Sequence, residues 1–538
     1  MTEGRHFSTI PFSQKTRPYV LLDDKCMSNS STIVAQATAP GEASIAMVRL
    51  SGPQALSFLQ KIFRKKKLKN HPLPSRGRGE DLLFVHEGGS WEDFETHKMY
   101  FGEIMIPHPH PSPFGTGVKD GTNNIPLSPL GERVQGEGVV LDQAMVVFMK
   151  APHSFTGEDV AEIHMHGSPV VVEQVLKILV GLGATSAKPG EFSKRAFLNG
   201  KMDLSQAEAI ADLIASKSEL AAKNALSQLG GNLSRLVESL RQDLIQVMSR
   251  LELGFDFIEE DVALFNPKEC LLVLEKIKTT SKRLLASFQT GQLYKHGLKI
   301  ALVGKPNVGK SSLLNAFLEE DKAITHSEPG TTRDVVMGEI KLSGIPIQIY
   351  DTAGLREAAH PVEQEGIKRS ENLIEKADLV LVILDSSNPL TLEDHQILEK
   401  IKLKKHLKVA NKIDLKPGWD LKTVGDQIFS VSAVTSQGLN EILEEIQKLF
   451  LKGSLEIDSG FVLNNVRHQK ILQEVLVQVE NVGAGLSRPV GVNNYSPIPE
   501  ELLAEELRLI ARLLGNITGE VKDEHILDEI FSKFCIGK

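Results

Sequence analysis

Cysteine is scarce, with Cys26, Cys270 and Cys535 the only three in a chain of 538 residues. Scattered thiols build no disulfide framework and no paired Cys-x-x-Cys metal site, which favours a reducing cytoplasm. Long apolar runs are missing as well. The longest candidate, "VVVEQVLKILVGLGA", is interrupted by Glu173 and Lys177, so no stretch of about 18 apolar residues is available to span a bilayer. No apolar signal core follows the first methionine. Positive charge is not in excess either. A formal net charge of −8 excludes the overall basic field of non-specific nucleic-acid binders, so any RNA contact must be local. The run "RKKKLK" at residues 64–69 is a candidate for such a contact, although a solvated helix end is the simpler reading.

What is present is length enough for roughly three to four domains. The centre, residues 298–453, alternates short apolar runs with helical patterns. "LKIALV", "IPIQIY", "ADLVLVILD" and "QIFSVSA" read as buried strands and "GLNEILEEIQKLF" as a covering helix. That alternation predicts a mainly parallel sheet with helices on both faces. On one side of it Leu236, Val237, Leu240, Leu244, Val247, Met248 and Leu251 follow the 3.6-residue period of an amphipathic helix. On the other side "PEELLAEELRLIARLLGNITG" has the same period and ends at a glycine. One helical domain, residues 204–297 and 454–538, with an α/β unit inserted into it, accounts for both flanks. Residues 27–203 read as a smaller α/β domain, with strands in "TIVAQATAPGEASIAMVRLSG" and "GVVLDQAMVVFMKAP" and a helix in "SPVVVEQVLKILVGLG". Within it, residues 107–138 are rich in Pro, Gly and Asn without periodicity, which predicts an exposed, disordered insertion.

"GKPNVGKSS" (304–312) fits the pattern G-x-x-x-x-G-K-[ST] between a strand and a helix. Backbone N–H groups of Asn307, Val308 and Gly309 and the helix start at Lys310, Ser311 and Ser312 form a cradle for phosphate. Lys310 reaches the β and γ oxygens, and the Ser311 hydroxyl is placed for Mg²⁺. The loop His326, Ser327, Glu328, Pro329, Gly330, Thr331 and Thr332 follows, and Thr332 joins the Mg²⁺ shell only while a γ-phosphate is present. "DTAG" supplies Asp351 for the metal, Thr352 and Ala353, and the N–H of Gly354 to sense that phosphate. In "NKID", Asn411 and Lys412 lead to Asp414, which accepts from guanine N1–H and its amine. Ser432 and Ala433 of "SVSA" complete a base pocket. This order of pieces marks a Ras-like GTPase. Leu355 stands where Ras-like GTPases carry a water-orienting glutamine. Glu363 in the following acidic stretch, and a cation held near Asn307, are the substitutes to expect.

In the amino-terminal half, "EIHMH" spaces Glu162, His164 and His166 at intervals of two. Three ligands so close on one strand suit a tetrahedral metal poorly, and Glu162 as acceptor for a heterocycle is the better reading. The terminal "FCIGK" puts Cys535 near the carboxyl end. A prenylation box, a metal tail and a segment that reaches back into the fold are the alternatives, and the final Lys538 after glycine makes a poor prenylation box.

Together, "TIVAQATAPG", "SFTGEDVAEI", "PGEFSKRAFLNGKMDLSQAEAIADLI", the GTPase motifs and "FCIGK" resemble the tRNA-modification GTPase family of the MnmE or TrmE type. The resemblance runs over nearly the whole chain from Met27, and leaves residues 1–26 as an extension outside the functional fold or untranslated. It implies that residues 27–203 bind a 5-formyltetrahydrofolate-type donor and form a homodimer. Arg49, Glu162, Lys201 and Lys538 would contact the folate, with the tail bringing Cys535 near its one-carbon unit as nucleophile or as packing. It implies a K⁺ site at Asn307, His326, Glu328 and Thr331, with His326 standing where the family commonly has Thr. An FAD-containing GidA or MnmG-type partner would complete an enzyme that adds an aminomethyl or carboxymethylaminomethyl group to C5 of the wobble uridine of tRNA. A regulatory GTP switch of the ribosome-assembly type is the competing reading, but it has no use for the folate residues or the tail.

Overall fold

The computed structural model describes residues 31–65, 95–106, 139–256, 265–320, 338–351, 373–425, 427–451, 461–486, 498–520 and 524–537. The extension 1–26 and the insertion 107–138 lie outside them. Two compact units divide the chain, Met1–Lys201 with Phe531–Lys538, and Met202–Ile530.

The first unit is a mixed sheet of β1 (Ile33–Gln36), β2 (Ala43–Ser51), β3 (Phe63–Lys65), β4 (Met99–Met105), β5 (Val140–Met149), β6 (Val160–Gly167) and β7 (Thr185–Ser186). Their order is β3-β4-β5-β6-β2-β1-β7, and β1 with β7 is the parallel pair. Strand alternation divides the residues between two faces. Val48, Leu50, Ala161, Ile163 and Val146 bury against Phe58 and Leu59 of helix Ala55–Ile62 and Val172, Val175 and Leu179 of helix Pro169–Gly181. Each Val, Leu, Ile or Phe side chain among them withdrawn from water contributes on the order of 1.5–3 kcal/mol. On the other face Ile33 and Ala35 pack against Phe192, from helix Glu191–Leu198. The basic run starts differently from expectation. Arg64 and Lys65 lie on β3, not at a helix end. Glu103 on β4 pairs with Arg64, and the Tyr100 ring receives the Lys65 ammonium at 4.5 Å.

In the second unit the sheet consists of β8 (Leu298–Val303), β9 (Gly338–Leu342), β10 (Ile345–Asp351), β11 (Leu379–Asp385), β12 (His406–Asn411) and β13 (Ile428–Ser430), ordered β13-β12-β11-β8-β10-β9. Every pairing is parallel except β9 with β10. Apolar cores on both faces explain the unbroken apolar runs. Ile300, Leu302 and Ile383 pack with Phe317 and Ile446 on one face, while Ala301, Val382 and Leu384 pack with Ile401 on the other.

Helices before and after this sheet share one core. Leu233, Val237, Leu240, Leu244 and Leu251 of helix Asn232–Asp256 join Leu472 and Val479 of helix Val466–Leu486 and Leu507, Ile510 and Leu514 of helix Glu500–Thr518. That last helix ends at Gly519 in the left-handed conformation, φ 84°, which a glycine adopts without strain. The segment returning from the sheet is held by side chains. Asn224 donates to the Val462 carbonyl at 3.0 Å and accepts from its N–H at 2.9 Å. Behind it, Glu208 accepts two hydrogen bonds from Arg467, each 2.8 Å. His468 lies 2.8 Å from the same carboxylate.

Candidate functional site

The loop between β8 and helix Lys310–Glu320 wraps around its own lysine. Lys310 is buried, and its Nζ donates to the carbonyls of Gly304 at 2.9 Å and Lys305 at 2.6 Å. The curl depends on left-handed backbone at Asn307 (φ 65°) and Gly309 (φ 93°), of which the non-glycine residue carries about 1–2 kcal/mol of strain. A Cβ on Gly309 would run into Asn411 Nδ2, and one on Gly304 would run into the Ile383 carbonyl. Close approach therefore demands glycine at both positions, and the turn demands it at Gly309 as well.

Across from the loop stand the carboxyl ends of β10, β11 and β12, where ligands of open α/β sheets gather. Ser311 Oγ donates to Asp351 Oδ2 at 2.7 Å. Asn411 is clamped at both ends of its amide. Its Nδ2 donates to the Val308 carbonyl at 2.9 Å, and its Oδ1 accepts from Ala433 N–H at 3.1 Å. Lys412 Nζ donates to the Asn307 carbonyl and to Asp385 Oδ2, each at 2.7 Å. Ser432 Oγ donates to Asp414 Oδ1 at 2.6 Å, leaving the second carboxylate oxygen of Asp414 to other donors. Burial works against the charge on Asp385, but hydrogen bonds from Lys412, Ser387 and Asn388 outweigh it and hold its pKa at about 2. Asp385 was not singled out from the sequence. The available signal was an acid closing an apolar strand on the ligand side of the sheet.

The structure thus brings together Asn307, Val308, Gly309, Lys310, Ser311, Asp351, Asn411, Lys412, Asp414, Ser432 and Ala433 around one cleft. The expected residues from His326 to Thr332, Thr352 to Gly354, and Glu363 lie outside the described residues.

In the first unit, register places Arg49 on β2 directly opposite Glu162 on β6. Arg49 Nε donates to Glu162 Oε1 at 2.8 Å, and His164 Nε2 lies 3.4 Å from the other oxygen. Burial raises the Glu162 pKa, yet the contacts of His164 and Arg49 prevail and lower it. The Arg49 guanidinium sits 5.7 Å from the Phe155 ring and 5.8 Å from that of Phe192. Gly190, which opens the helix carrying Phe192, also meets the end of the chain. Its N–H donates to the Cys535 carbonyl at 3.4 Å, and a Cβ there would lie 2.6 Å from the Phe531 carbonyl. Phe531 and Phe534 are buried, whereas Cys535 is exposed. The tail therefore reaches back to this unit. Lys201 is exposed, with Nζ donating to the Pro152 carbonyl at 3.0 Å, and Lys538 lies outside the described residues. Among the described residues no cluster of three or more His, Cys, Asp or Glu is built to hold a metal, and no helix is long and apolar enough to cross a membrane.

Two further motifs of this unit meet in one polar network. Ser51 Oγ is 2.7 Å from both Thr156 Oγ1 and Glu158 Oε2, and Arg195 pairs with Glu158 at 3.0 Å. These side chains tie "SFTGED" to "KRAF" and brace the strand that carries Glu162.

A P-loop between β8 and its helix, hydrogen-bonded to the end of β12 on a mainly parallel sheet, defines a P-loop nucleotide-binding protein. More narrowly, the chain belongs to the MnmE family. Residues 204–535 match the MnmE helical domain, and residues 32–108 and 115–201 match the amino terminus of the GTP-binding protein TrmE. Its relatives include the tRNA modification GTPase MnmE of Natranaerobius thermophilus, 38% identical over 517 residues, with 94% of this chain and 99% of that one covered. The protein of the same name from Aquifex aeolicus is 38% identical over 507 residues, with the same coverage. Among solved structures, the G domain of the FeoB iron transporter of T. maritima aligns with 28% of this chain and 97% of its own, at 28% identity and TM-score 0.22.

Proposed function

We propose that this protein is the GTP-hydrolysing subunit of a complex that adds an aminomethyl or carboxymethylaminomethyl group to C5 of the wobble uridine of tRNA, in the cytoplasm. The observation that carries the nucleotide half is the docking of the "NKID" strand end onto the phosphate loop through Asn411–Val308 and Lys412–Asn307. One loop can then read the base while the other holds the phosphates. Asp414 keeps one oxygen for guanine's N1–H and amine, a donor pair adenine lacks. Ser311 and Asp351 present hard oxygen ligands side by side, a fit for Mg²⁺. When bound, that ion neutralises charge on the β and γ oxygens. Thr332 joins Ser311 at the metal, and Gly354 reads the γ-phosphate. Glu363 orients the water in place of the glutamine absent at Leu355. Asn307, His326, Glu328 and Thr331 hold K⁺.

The folate reading rests on the Arg49–Glu162 pair and on the tail at Gly190. Glu162 retains lone pairs beyond those taken by Arg49 and His164, so it can still accept from a pterin edge. Lys201 and Lys538 suit the ligand's glutamate tail, and Cys535 lies where the tail meets the unit. By the family resemblance, the same unit pairs with a second copy of the chain. An FAD-containing protein of the GidA or MnmG type completes the assembly.

Nucleoside mass spectrometry of tRNA from a deletion strain tests the whole reading. Loss of C5-modified wobble uridine is expected. Unaltered modification would sink it and leave a ribosome-assembly switch in its place.

A further inference from the structure

Asp385 ends β11 and belongs to none of the motifs that identify the nucleotide cleft. Four donors converge on its carboxylate. Ser387 N–H and Oγ reach Oδ1 at 2.9 and 2.6 Å, while Asn388 Nδ2 and Lys412 Nζ reach Oδ2 at 3.0 and 2.7 Å. Only 11% of the Asp385 side chain is exposed, against 30% for Lys412. The same ammonium also reaches the Asn307 carbonyl at 2.7 Å. Both residues at the ends of that bond are left-handed, Lys412 at φ 68° and Asn307 at φ 65°. Two uncommon backbone conformations thus face each other across one ammonium group, and Asp385 supplies its counter-charge.

We propose that Asp385 is a positioning residue for nucleotide binding: it aims Lys412 at the phosphate loop and so locks the base-recognition loop to Asn307. This rests on reading residues 307–311 and 411–414 as the nucleotide site. The turn after β11 explains how the carboxylate is aimed. Ser387 fixes one oxygen from backbone and hydroxyl, which turns the other toward Lys412. An asparagine here retains the Ser387 bonds through its oxygen but sets an NH₂ against the ammonium. The lysine then loses its partner, as does Asn388 Nδ2, while Ser387 keeps both of its bonds to the other atom.

The test is a double-variant cycle on the full chain, read as the release rate of fluorescent methylanthraniloyl-GDP in Mg²⁺. Asp385→Asn is expected to speed release on the order of tenfold, as for a lost charge-assisted hydrogen bond. Lys412→Met should do at least as much, and the double variant should release no faster than Lys412→Met alone. Equal release from Asp385→Asn and parent, or effects that multiply in the double variant, would overturn the positioning role. Either result leaves the nucleotide reading standing. A parent that binds no GDP would overturn both. Melting curves identify a misfolded variant, and Asp385→Ser, whose hydroxyl still accepts from Ser387 N–H, then replaces Asp385→Asn in the cycle.

Discussion

Asn411 and Val308, 103 residues apart in the chain, are joined by a 2.9 Å hydrogen bond from the amide Nδ2 to the main-chain carbonyl. The bond couples the end of β12, proposed to read the base, to the loop proposed to hold phosphate. Asn411→Ala leaves the Val308 carbonyl and the Ala433 N–H without their partner, at about 1–3 kcal/mol for each buried group. GTP affinity measured by calorimetry is expected to fall tenfold or more. Gly309→Ala should reproduce that loss, because its Cβ meets Asn411 Nδ2 and its φ is 93°. Unchanged affinity in both variants would separate the two loops energetically.

Base selection is expected to follow Asp414. Asp414→Asn replaces an acceptor oxygen with a donor amide that opposes guanine's own donors, a mismatch of a few kcal/mol. The Ser432 hydroxyl, now 2.6 Å from Oδ1, orients the side chain, so Ser432→Ala should weaken GTP binding without changing preference. Competition between GTP and XTP distinguishes the two. Retained guanine preference in Asp414→Asn would place the base elsewhere.

Runs apolar but for a single residue, Lys299 in β8 and Gln348 in β10, were legible as strands because burial on both faces leaves a one-dimensional signal. "LKIALV" is β8 from end to end, and "IPIQIY" is β10 but for its final Asp351. β9, five residues at the antiparallel edge, and β12, where His406, Lys408 and Asn411 make half the strand polar, carry weaker patterns and were not singled out. In the first unit β4 and the short helix Ala55–Ile62 also went unread, the helix although Ala55, Phe58, Leu59 and Ile62 share one buried face. Motifs located the phosphate loop. What no local pattern could show is pairing across the chain, such as Arg49 with Glu162, 113 residues away and set by register, or Lys412 with Asp385.

Acid sensitivity is expected to concentrate at Glu208, 7% exposed. Burial raises its pKa, but the contacts of His468 and Arg467 override this and lower it from 4.5 to about 2. A carboxylate depressed in the folded state contributes stability above its unfolded pKa and loses it as pH falls toward the folded value. The window is therefore from about 4.5 down to about 2. Linkage puts the contribution at about 3 kcal/mol. Glu208→Gln should lower the melting temperature at pH 7, and the gap to parent should close as pH falls through that window. A gap independent of pH would mean that shape rather than charge matters at this position.

Docking of the tail is expected to depend on Gly190 and Gly537. Gly190 has φ 65° and faces the Phe531 carbonyl, while a Cβ on Gly537 would strike the Gln36 carbonyl. Gly190→Ala should release the tail, raising its removal by carboxypeptidase and weakening binding of 5-formyltetrahydrofolate together. GTP hydrolysis by Gly190→Ala should stay at the parent's level. If trimming rises while folate affinity holds, the tail is packing rather than part of the folate site.

Potassium provides the sharpest test of the hydrolysis reading. With Leu355 in place of the glutamine, another positive charge must offset what develops between the β and γ phosphates. Asn307 stands in the curl of the loop, its left-handed backbone held by Lys412. If His326 serves the same ion through its backbone, protonation of its ring on acidification repels that ion. Hydrolysis should therefore be stimulated by K⁺ and far less by the smaller Na⁺, with stimulation declining as pH falls through the histidine range. Asn307→Ala should abolish the difference between the two ions. Glu363→Ala should slow turnover while leaving GTP affinity and the K⁺ dependence in place, since orienting water requires neither. Phosphate release measured in matched K⁺ and Na⁺ buffers decides the matter. Equal rates in the parent, unaltered by Asn307→Ala, would overturn the cation mechanism and leave the role of Glu363 to be judged by its own variant.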